Sequence, residues 1–285
     1  TNGNPSASDL EYLQGSTELA RLAQIIRTNS TLNATYGTRA TAIFNFVHSN
    51  IVLREVAFAE SVRSNVIYAT SDKTNMFASI LIDMHRAGAT LIKSGLSYHD
   101  FAVQILNNFL SHVSAPTSPD NIAGKGAELW DYKALTSATY CGTSPNTVSP
   151  CSEDTSHANR KPYMILTALD AGSSLSGIGK TPTNSTLAEH FYKIGRLFSQ
   201  VIWDKSTSVP RFSNYIDGAN HYYRTDPPWR NGFIAAGWSL MGAVDQDSLI
   251  AGEAMLDAII AGQTTTQNPS IQFNNGSAAR TALAG

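Results

Sequence analysis

The sequence predicts an all-α fold, built from roughly nine or ten helices of about 12–20 residues. Three observations lead to this prediction: apolar residues recur every three to four positions in most segments, strand-like alternation is rare, and polar loops separate the segments. The chain has 285 residues, enough for one large domain or two small ones. No composition change marks a boundary, so we expect one domain over residues 1–262 and a polar tail over residues 263–285.

Apolar residues that recur at helical spacing, which we call apolar stripes, predict where the first helices lie. The first two stripes are Leu19, Leu22, Ile25 and Ile26, and then Ile43, Phe46, Val47 and Ile51. The most regular stripe follows Asp72, a residue suited to a helix cap, and it consists of Met76, Phe77, Ile80, Leu81, Met84 and Leu91. The next stripe consists of Phe101, Ile105, Leu106, Phe109, Leu110 and Val113. The last two stripes predict a helical hairpin with a short turn, ended by Pro116 and Pro119.

Two further stripes predict helices in the second half of the chain. They are Leu187, Phe191, Ile194, Leu197 and Val201, and then Leu249, Leu256, Ile259 and Ile260. We expect Trp203 and Trp238 to lie in the core. The histidines in or beside apolar stripes are expected to have structural roles, and they are His48, His85, His99, His112 and His190.

Composition and charge exclude several classes of protein. Charged residues make up 15% of the chain, below the roughly 25% typical of soluble domains, so Ser, Thr, Asn and Gln must cover much of the surface. The formal net charge is −2 and Lys and Arg form no run, which argues against a nucleic-acid-binding protein. No apolar stretch approaches the roughly 20 residues that a membrane-spanning helix needs.

The cysteines and the sequons favour a secreted or periplasmic protein. Cys141 and Cys151 stand in a segment rich in Gly, Ser, Thr and Pro, without histidines spaced for zinc, and a disulfide that closes this loop is the favoured interpretation. The sequence starts at Thr1 rather than Met, as expected after removal of a leader. Four Asn-X-Ser/Thr sequons agree with secretion: Asn29, Asn33, Asn184 and Asn275.

Three polar clusters interrupt the helical pattern. Residues 71–78 and 153–163 each open a predicted helix, and residues 212–233 form a long aromatic loop. Helix starts carry free N–H groups and the positive end of the helix dipole, which suits an anionic group. Aromatic rings beside Asn, Asp and Arg suit a sugar, whose faces are apolar and whose rim carries hydroxyls. Together the clusters predict a site for an acidic carbohydrate, although each also admits a structural interpretation as a helix cap or a packed loop.

The order of these segments resembles that of the α/α-toroid polysaccharide lyases and related alginate-lyase-like proteins. The matching segments are DKTNMFASILIDMHRAG from Asp72, LWDY from Leu129, EDTSHANRKPYMILTALDAG from Glu153, FSNYIDGANHYY from Phe212 and GFIAAGW from Gly232. The resemblance implies an incomplete toroid of helical hairpins around a sugar-binding cleft, with residues 1–262 as the catalytic domain. It also implies β-elimination at a uronic acid residue of an anionic polysaccharide, for which we expect no cofactor and no metal.

The implied reaction needs a group that neutralises the uronate carboxylate and a base that removes the C5 proton. Asn75 together with Arg160 or Arg224 is the candidate for the carboxylate, because a guanidinium offers a bidentate fork and an amide a neutral donor. His157 is the candidate base, since a histidine titrates at about 6.5, near working pH. His221 is the rival base.

The reaction also needs an acid that protonates the departing O4. Tyr222 or Tyr223 is the candidate, and either tyrosine could serve as the base if an adjacent cation ionised it. Trp130 and Trp229 are candidate stacking platforms for sugar rings. The full set of expected substrate-binding residues is Lys73, Trp130, Arg160, Asn220, His221, Trp229 and Arg230.

Two other functions stay open at this point. A glycoside hydrolase on the same helical architecture would use two carboxylic acids about 5–10 Å apart, and Asp154 with Asp217 could supply them. A glycan-binding protein without catalytic activity would also suit the low charge and the high Ser, Thr and Asn content. Glu153, Asp154 and His157 have a spacing that could contribute to a metal site, but no HExxH motif or second histidine cluster completes one.

Overall fold

The computed structural model describes residues 10–61, 72–111, 113–114, 127, 129–130, 153, 155–175, 184–205, 211–213, 216, 218 and 235–260. These residues are mostly helical, which confirms the predicted predominance of helix. The described residues fall into two compact units. Those within Thr1–His112 and Tyr163–Leu187 belong to the first unit, and those within Val113–Lys133, Ala138–Pro162 and Ala188–Gly285 belong to the second.

The first unit opens with two long helices, α1 (Leu10–Thr28) and α2 (Ser30–Phe46). Asn29 separates them, because its backbone is extended and its side-chain Oδ1 caps α2 by accepting a hydrogen bond from the Leu32 N–H at 3.0 Å. Helix α1 packs against α2 and α4, and small residues dominate its buried face. That face consists of Leu13, Ser16, Thr17, Ala20, Ala23, Gln24 and Ile26.

The predicted stripe of α1 is only partly correct. Ile26 is buried as predicted, whereas Leu22 and Ile25 are 45% and 43% exposed. Small side chains make up most of the buried face of α1, and Leu13 and Ile26 are its two large apolar residues. The hydroxyl groups on this face are satisfied locally, as at Thr17, which donates to the Leu13 carbonyl at 2.9 Å.

A π-helical segment, Val47–Val52, continues α2 and leads into α3 (Leu53–Ser61). Such a segment contains more residues per turn than an α-helix and therefore shifts the buried face along the helix surface. Val47 and Ile51 are buried as predicted, whereas Phe46 is 49% exposed. A prediction that assumes a constant helical spacing of apolar residues cannot include this shift of the buried face.

Helix α4 (Asp72–Arg86) is almost entirely enclosed, since residues 74–84 are all buried. The helix ends in a Schellman motif, in which Gly88 adopts φ of 102° and the N–H groups of Gly88 and Ala89 donate to the carbonyls of His85 and Met84. The prediction that Leu91 belongs to this helix is therefore wrong. Leu91 is 59% exposed and begins strand β1 (Leu91–Lys93).

A two-stranded ribbon, rather than a short turn, connects α4 to α5. Strand β1 pairs antiparallel with β2 (Leu96–Ser97), and α5 (Tyr98–Ser111) follows directly. Phe101 of α5 packs edge-to-face on Phe77 of α4, with ring centroids 5.8 Å apart. Four residues of the predicted stripe are buried: Phe101, Ile105, Leu106 and Phe109. Helix α5 ends earlier than predicted, because Val113 pairs with Trp130 in a ribbon of β3 (Val113–Ser114) and β4 (Leu129–Trp130).

The later elements follow in chain order. They are α6 (Thr155–Ala158), α7 (Arg160–Ala171), a 3₁₀ segment (Gly172–Leu175), α8 (Asn184–Leu197), a π-helical segment (Phe198–Ile202), β5 (Trp203–Asp204), β6 (Arg211–Phe212), a 3₁₀ segment (Ala235–Ala243) and α9 (Gln246–Ile260). Strands β5 and β6 pair antiparallel. On α8 and the following segment, Leu187, Phe191, Ile194 and Leu197 are buried as predicted, and Val201 is half-buried.

Three stacked aromatic rings contribute to the core of the second unit. Phe198 stacks on Phe212 at 5.5 Å and on Trp238 at 5.6 Å, with both pairs nearly parallel. Trp238 is fully buried, as predicted, whereas Trp203 is half-buried and carries Lys205 over its ring. The stack brings together the residues that follow α8, strand β6 and the second 3₁₀ segment.

Helix α9 is fixed to α8 through a capping residue. Asp245 accepts hydrogen bonds from the Ser248 N–H at 3.0 Å and the Ser248 hydroxyl at 2.7 Å, and that hydroxyl also contacts the Gly195 carbonyl at 2.8 Å. Gly195 permits this close approach, because a Cβ atom there would lie 3.1 Å from the Asp245 Cβ. The predicted stripe of α9 is wrong at Leu249, which is 47% exposed.

Several predictions concern residues that the structure does not describe. Cys141, Cys151, the domain boundary after residue 262 and the polar tail all lie outside the described residues. Among the helices that are described, none is long and apolar enough to cross a membrane.

Phe191 and Tyr192 are adjacent on α8 and offer a matched pair of variants. Phe191 is 1% exposed and Tyr192 is 47% exposed. We expect Phe191→Ala to lower the free energy of unfolding by about 3–5 kcal/mol, because it removes a buried ring and leaves a cavity. Tyr192→Ala should change it by no more than about 0.5 kcal/mol. Denaturant titration followed by circular dichroism measures both, and equal losses would contradict the assigned buried face.

Candidate functional site

Two of the three polar clusters meet in the second unit, at the start of α6. The Ile216 N–H donates to the Glu153 carbonyl at 3.1 Å, and the Thr155 hydroxyl donates to the Ser213 carbonyl at 2.7 Å. Trp238 Nε1 donates to the Thr155 carbonyl at 3.1 Å. These bonds join segments that are far apart in sequence. We call the region formed by residues 153–161 and the residues bonded to them the α6 junction. The cluster at residues 153–163 and the first residues of the aromatic cluster therefore share one location.

The α6 junction includes a buried ion pair. Lys161 Nζ donates to Glu153 Oε1, and the two side chains are 0% and 1% exposed. Buried charges persist in a protein only when they are paired, so each of these residues requires the other. Glu153 is thus engaged by an ammonium group, which disfavours the metal-site interpretation of Glu153 with Asp154 and His157. The described part of the chain holds no group of three or more His, Cys, Asp or Glu side chains that could bind a metal ion.

His157 and Arg160 lie on the short stretch between the two members of this ion pair. His157 belongs to α6 and Arg160 is the first residue of α7, and both side chains are half-buried. Each side chain also interacts with its protein surroundings. The junction therefore presents an imidazole and a guanidinium within one short segment, the two group types that base catalysis and carboxylate binding require.

Lys73 and Asn75 lie in the first unit, in the first turn of α4. Lys73 is half-buried and Asn75 is fully buried. The Asn75 carbonyl accepts a hydrogen bond from the Ser79 hydroxyl at 3.2 Å. These two predicted site residues belong to a different unit from His157 and Arg160.

The remaining predicted site residues lie outside the described residues, and their roles stay predictions. They are Asn220, His221, Tyr222, Tyr223, Arg224, Trp229 and Arg230, together with Asp154 and Asp217 of the hydrolase alternative. Trp130 is described through its backbone alone, which forms β4.

Three histidines of the first unit have polar contacts within that unit. His48 Nδ1 and the Tyr98 hydroxyl are 2.7 Å apart, and His85 Nδ1 lies 3.2 Å from the Ala89 carbonyl. His99 Nδ1 lies 3.0 Å from Asp100 Oδ1. These contacts agree with the structural roles expected from their positions in the sequence.

A charged cluster in the first unit was not predicted from the sequence. Asp83 is fully buried in α4, accepts from Arg21 Nη1 at 3.0 Å and lies 3.6 Å from Arg86 Nη1, while Arg21 also donates to Asp170. A signal for it exists in the sequence. Asp83 follows Ile80 at helical spacing on the buried face of α4, and a carboxylate in such a position requires a cationic partner.

Burial dominates the electrostatics of this charged cluster. It raises the pKa of Asp83 to about 6, against the opposing effects of Arg21 and Arg86. Burial also raises the pKa of Tyr163 to about 12, with repulsion from Glu18 and Asp83 adding to the effect. Tyr163 is therefore a neutral phenol at physiological pH, which makes it unsuitable as a tyrosinate base.

Comparison of the chain with protein-family profiles, with curated proteins and with solved structures gives no significant match. The candidate site is therefore interpreted from its own residues.

Removing one member of the buried ion pair tests the α6 junction. Lys161→Met leaves the Glu153 carboxylate buried without its ammonium partner, and we expect a loss of about 3–5 kcal/mol in the free energy of unfolding. The double variant Lys161→Met with Glu153→Gln should recover much of that loss, because no charge is left buried. Denaturant titration measures all three proteins.

The exposed ion pair of Lys193 with Glu189 on α8 provides the matched control. Its atoms are 2.7 Å apart, but the two side chains are 32% and 63% exposed. Lys193→Met should cost no more than about 1 kcal/mol, since exposed ion pairs contribute little. A loss as large as that of Lys161→Met would contradict the importance assigned to burial.

The raised pKa of Asp83 predicts a specific pH dependence of stability. The folded protein holds the Asp83 proton up to about pH 6, whereas the unfolded chain releases it near pH 3.8, so the folded state binds more protons between these values. The wild type should therefore lose stability relative to Asp83→Asn as pH rises through this window, by up to about 3 kcal/mol. Unfolding midpoints across the window measure the difference, and a constant or rising difference would refute the raised pKa.

Proposed function

We propose that this chain is a polysaccharide lyase that cleaves an anionic, uronic-acid-containing polysaccharide by β-elimination. In this proposal the helices form an incomplete α/α toroid, and the protein acts in a secreted or periplasmic setting. The observation that carries the proposal is the α6 junction, which holds His157 and Arg160 beside the first residues of the aromatic cluster. The sequence predicts that all three polar clusters form a site for an acidic carbohydrate, and these are two of them.

The proposed chemistry follows from these side chains. His157 takes the proton from C5 of the uronate, the C4–O4 bond breaks, and a C4–C5 double bond forms. A tyrosine, Tyr222 or Tyr223, gives its proton to the departing O4. The reaction is redox-neutral and leaves one product with an unsaturated uronate at its new non-reducing end.

The charges of the junction favour Arg160 over Lys161 as the partner of the substrate carboxylate. Lys161 is fully buried and neutralised by Glu153, so it is a poor partner for an incoming anion. Arg160 is half-buried and carries a planar fork of donors that matches a carboxylate. Its positive charge would stabilise the negative charge that develops when C5 loses its proton.

The other predicted residues keep their proposed roles. Arg224 and Asn75 are further candidates for the carboxylate, and His221 is the rival base. Rings of Trp130 and Trp229 would stack on the sugar. Asn220 and Arg230 would bind the polymer beside the reacting residue, and Lys73 is a further candidate for polymer binding.

Incubation with a panel of uronic-acid polysaccharides tests the reaction class. Alginate, glucuronan, ulvan and a glycosaminoglycan should be tried, and ultraviolet absorbance of the unsaturated product should rise with at least one of them. His157→Ala and Tyr223→Phe should each lower kcat/KM on that polymer by roughly 10²–10⁴-fold, the usual contribution of an acid or a base.

His190→Ala is the matched control, because His190 is also a half-buried histidine of the second unit but lies on α8. It should retain the wild-type rate. Circular dichroism and the unfolding midpoint establish that each variant is folded. New reducing ends without ultraviolet absorbance would favour the hydrolase alternative with Asp154 and Asp217, and binding without products would favour a glycan-binding protein. Full activity in both folded variants, His157→Ala and Tyr223→Phe, would overturn the assigned roles.

A further inference from the structure

A polar cleft lies in the first unit, at the C-terminal end of α4. It occupies about 280 Å³ between the last turn of α1, the helix α2 and the Schellman turn that ends α4. The lining residues used below are Arg27, Thr28, Asn33, Thr41, Arg86 and Gly88. This volume is at the lower end for ligand sites, which suits a ligand the size of one sugar unit rather than a polymer.

The Arg27 side chain is held in place by a backbone carbonyl and an aromatic ring. Its Nε donates to the Ala87 carbonyl at 2.7 Å, and its guanidinium lies over the Phe44 ring, 4.3 Å from the ring centroid. Across the described ranges, no carboxylate forms an ion pair with Arg27. The two Nη groups of a fixed, uncompensated guanidinium are a preorganised donor for an oxyanion.

Arg86 brings a second guanidinium to the same cleft. Its one carboxylate contact in the described part of the chain is Asp83, at 3.6 Å, which is beyond hydrogen-bond distance and is shared with Arg21. The Arg86 Nη1 atom is buried and finds no hydrogen-bond partner among the described residues. Both arginines line the cleft, and Asp83 is the one carboxylate that either of them approaches among the described residues.

The polar side chains of α2 complete the lining. Thr41 and Asn33 both lie on the cleft, and Gly37 leaves room for the Asn33 amide, since a Cβ atom at position 37 would lie 2.6 Å from Asn33 Oδ1. An Asn and a Thr beside two guanidiniums provide neutral hydrogen-bond groups for the hydroxyls next to an acidic group.

We infer that this cleft binds the oxyanion group of a small acidic ligand, with Arg27 and Arg86 as its charged donors. The inference concerns the first unit alone and does not depend on the lyase proposal. Glucuronate and inorganic phosphate share the required chemistry, and they differ in shape and in the hydroxyls available to Asn33 and Thr41.

Calorimetric titration of the full chain, made in a bacterial host so that Asn33 carries no glycan, tests the inference. Sodium glucuronate, inorganic phosphate and neutral glucose are the probes. At least one anion should bind, and glucose should bind at least tenfold more weakly. Arg27→Gln and Arg86→Gln should each weaken anion binding roughly tenfold to a hundredfold, because each removes a charge-assisted donor. Arg39→Gln, on the exposed surface of α2, removes the same charge outside the cleft and should retain wild-type affinity.

Gly37→Ala separates binding from stability. The added methyl group displaces the Asn33 amide, while alanine is the better helix former, so affinity should fall without a loss in the unfolding midpoint. Phosphate binding without glucuronate binding would assign the cleft to phosphate-bearing ligands, and the reverse would assign it to carboxylates. Failure of both anions to bind at millimolar concentration would overturn the inference. So would equal affinities in Arg27→Gln and Arg39→Gln.

Discussion

The buried ion pair between Lys161 and Glu153 is the interaction on which the candidate site depends. Helix α6, which carries His157, has four residues and is far too short to be stable on its own. The ion pair fixes Glu153, two residues before α6, to the second residue of α7, and so it closes the segment that contains His157 and Arg160. The hydrogen bonds of Thr155 to the Ser213 carbonyl and of Trp238 to the Thr155 carbonyl then hold this segment against two distant parts of the chain. A mobile loop would offer the same side chains without a defined orientation.

Both units contain a buried charged group that a side chain of opposite charge approaches. In the first unit, the enclosed helix α4 carries Asp83, and arginines from α1 and from its own last turn approach that carboxylate. In the second unit, an ammonium group enters the core and meets a carboxylate eight residues earlier. Burying such charged pairs costs desolvation energy. They also favour the native packing, because any alternative packing that separates the two charges leaves one of them buried and unpaired. The two arrangements differ in exposure: the Lys161 and Glu153 side chains are both fully enclosed, whereas Arg21 reaches the surface.

The helices could be predicted from the sequence where one large apolar face is buried. The stripes of α5 and α8 are of this kind, and most of their residues are buried as predicted. Helix α4 is buried on all sides, and its stripe is buried as predicted except at Leu91. The predicted helix faces and ends were wrong where large apolar residues do not recur at a constant helical spacing. Small residues form the buried face of α1, a π-helical segment changes the period after Phe46, and a left-handed glycine ends α4 before Leu91.

The candidate site could be predicted in part for the same kind of reason. Residues 153–163 combine His, Arg, Lys and Glu in one short segment, and such a concentration is visible in the sequence. The partners of that segment are not visible, because the contacts of Glu153 with Ile216 and of Thr155 with Ser213 and Trp238 join residues with no local periodicity in common. The pairing of Lys161 with Glu153 could not be predicted either. The two residues are eight positions apart and Glu153 precedes the helix, whereas ion pairs within a helix join residues three or four positions apart.

The candidate site requires that the segment at Glu153 and the start of the aromatic cluster meet. Native-state hydrogen exchange of the Ile216 amide tests it most directly, because that N–H donates to the Glu153 carbonyl at 3.1 Å. We expect the Ile216 amide to be protected to a degree similar to the Ser213 amide, which donates to the Ile202 carbonyl at 2.8 Å within the same unit. Protection at Ser213 together with exchange at Ile216 as fast as in an unstructured peptide would contradict the claim.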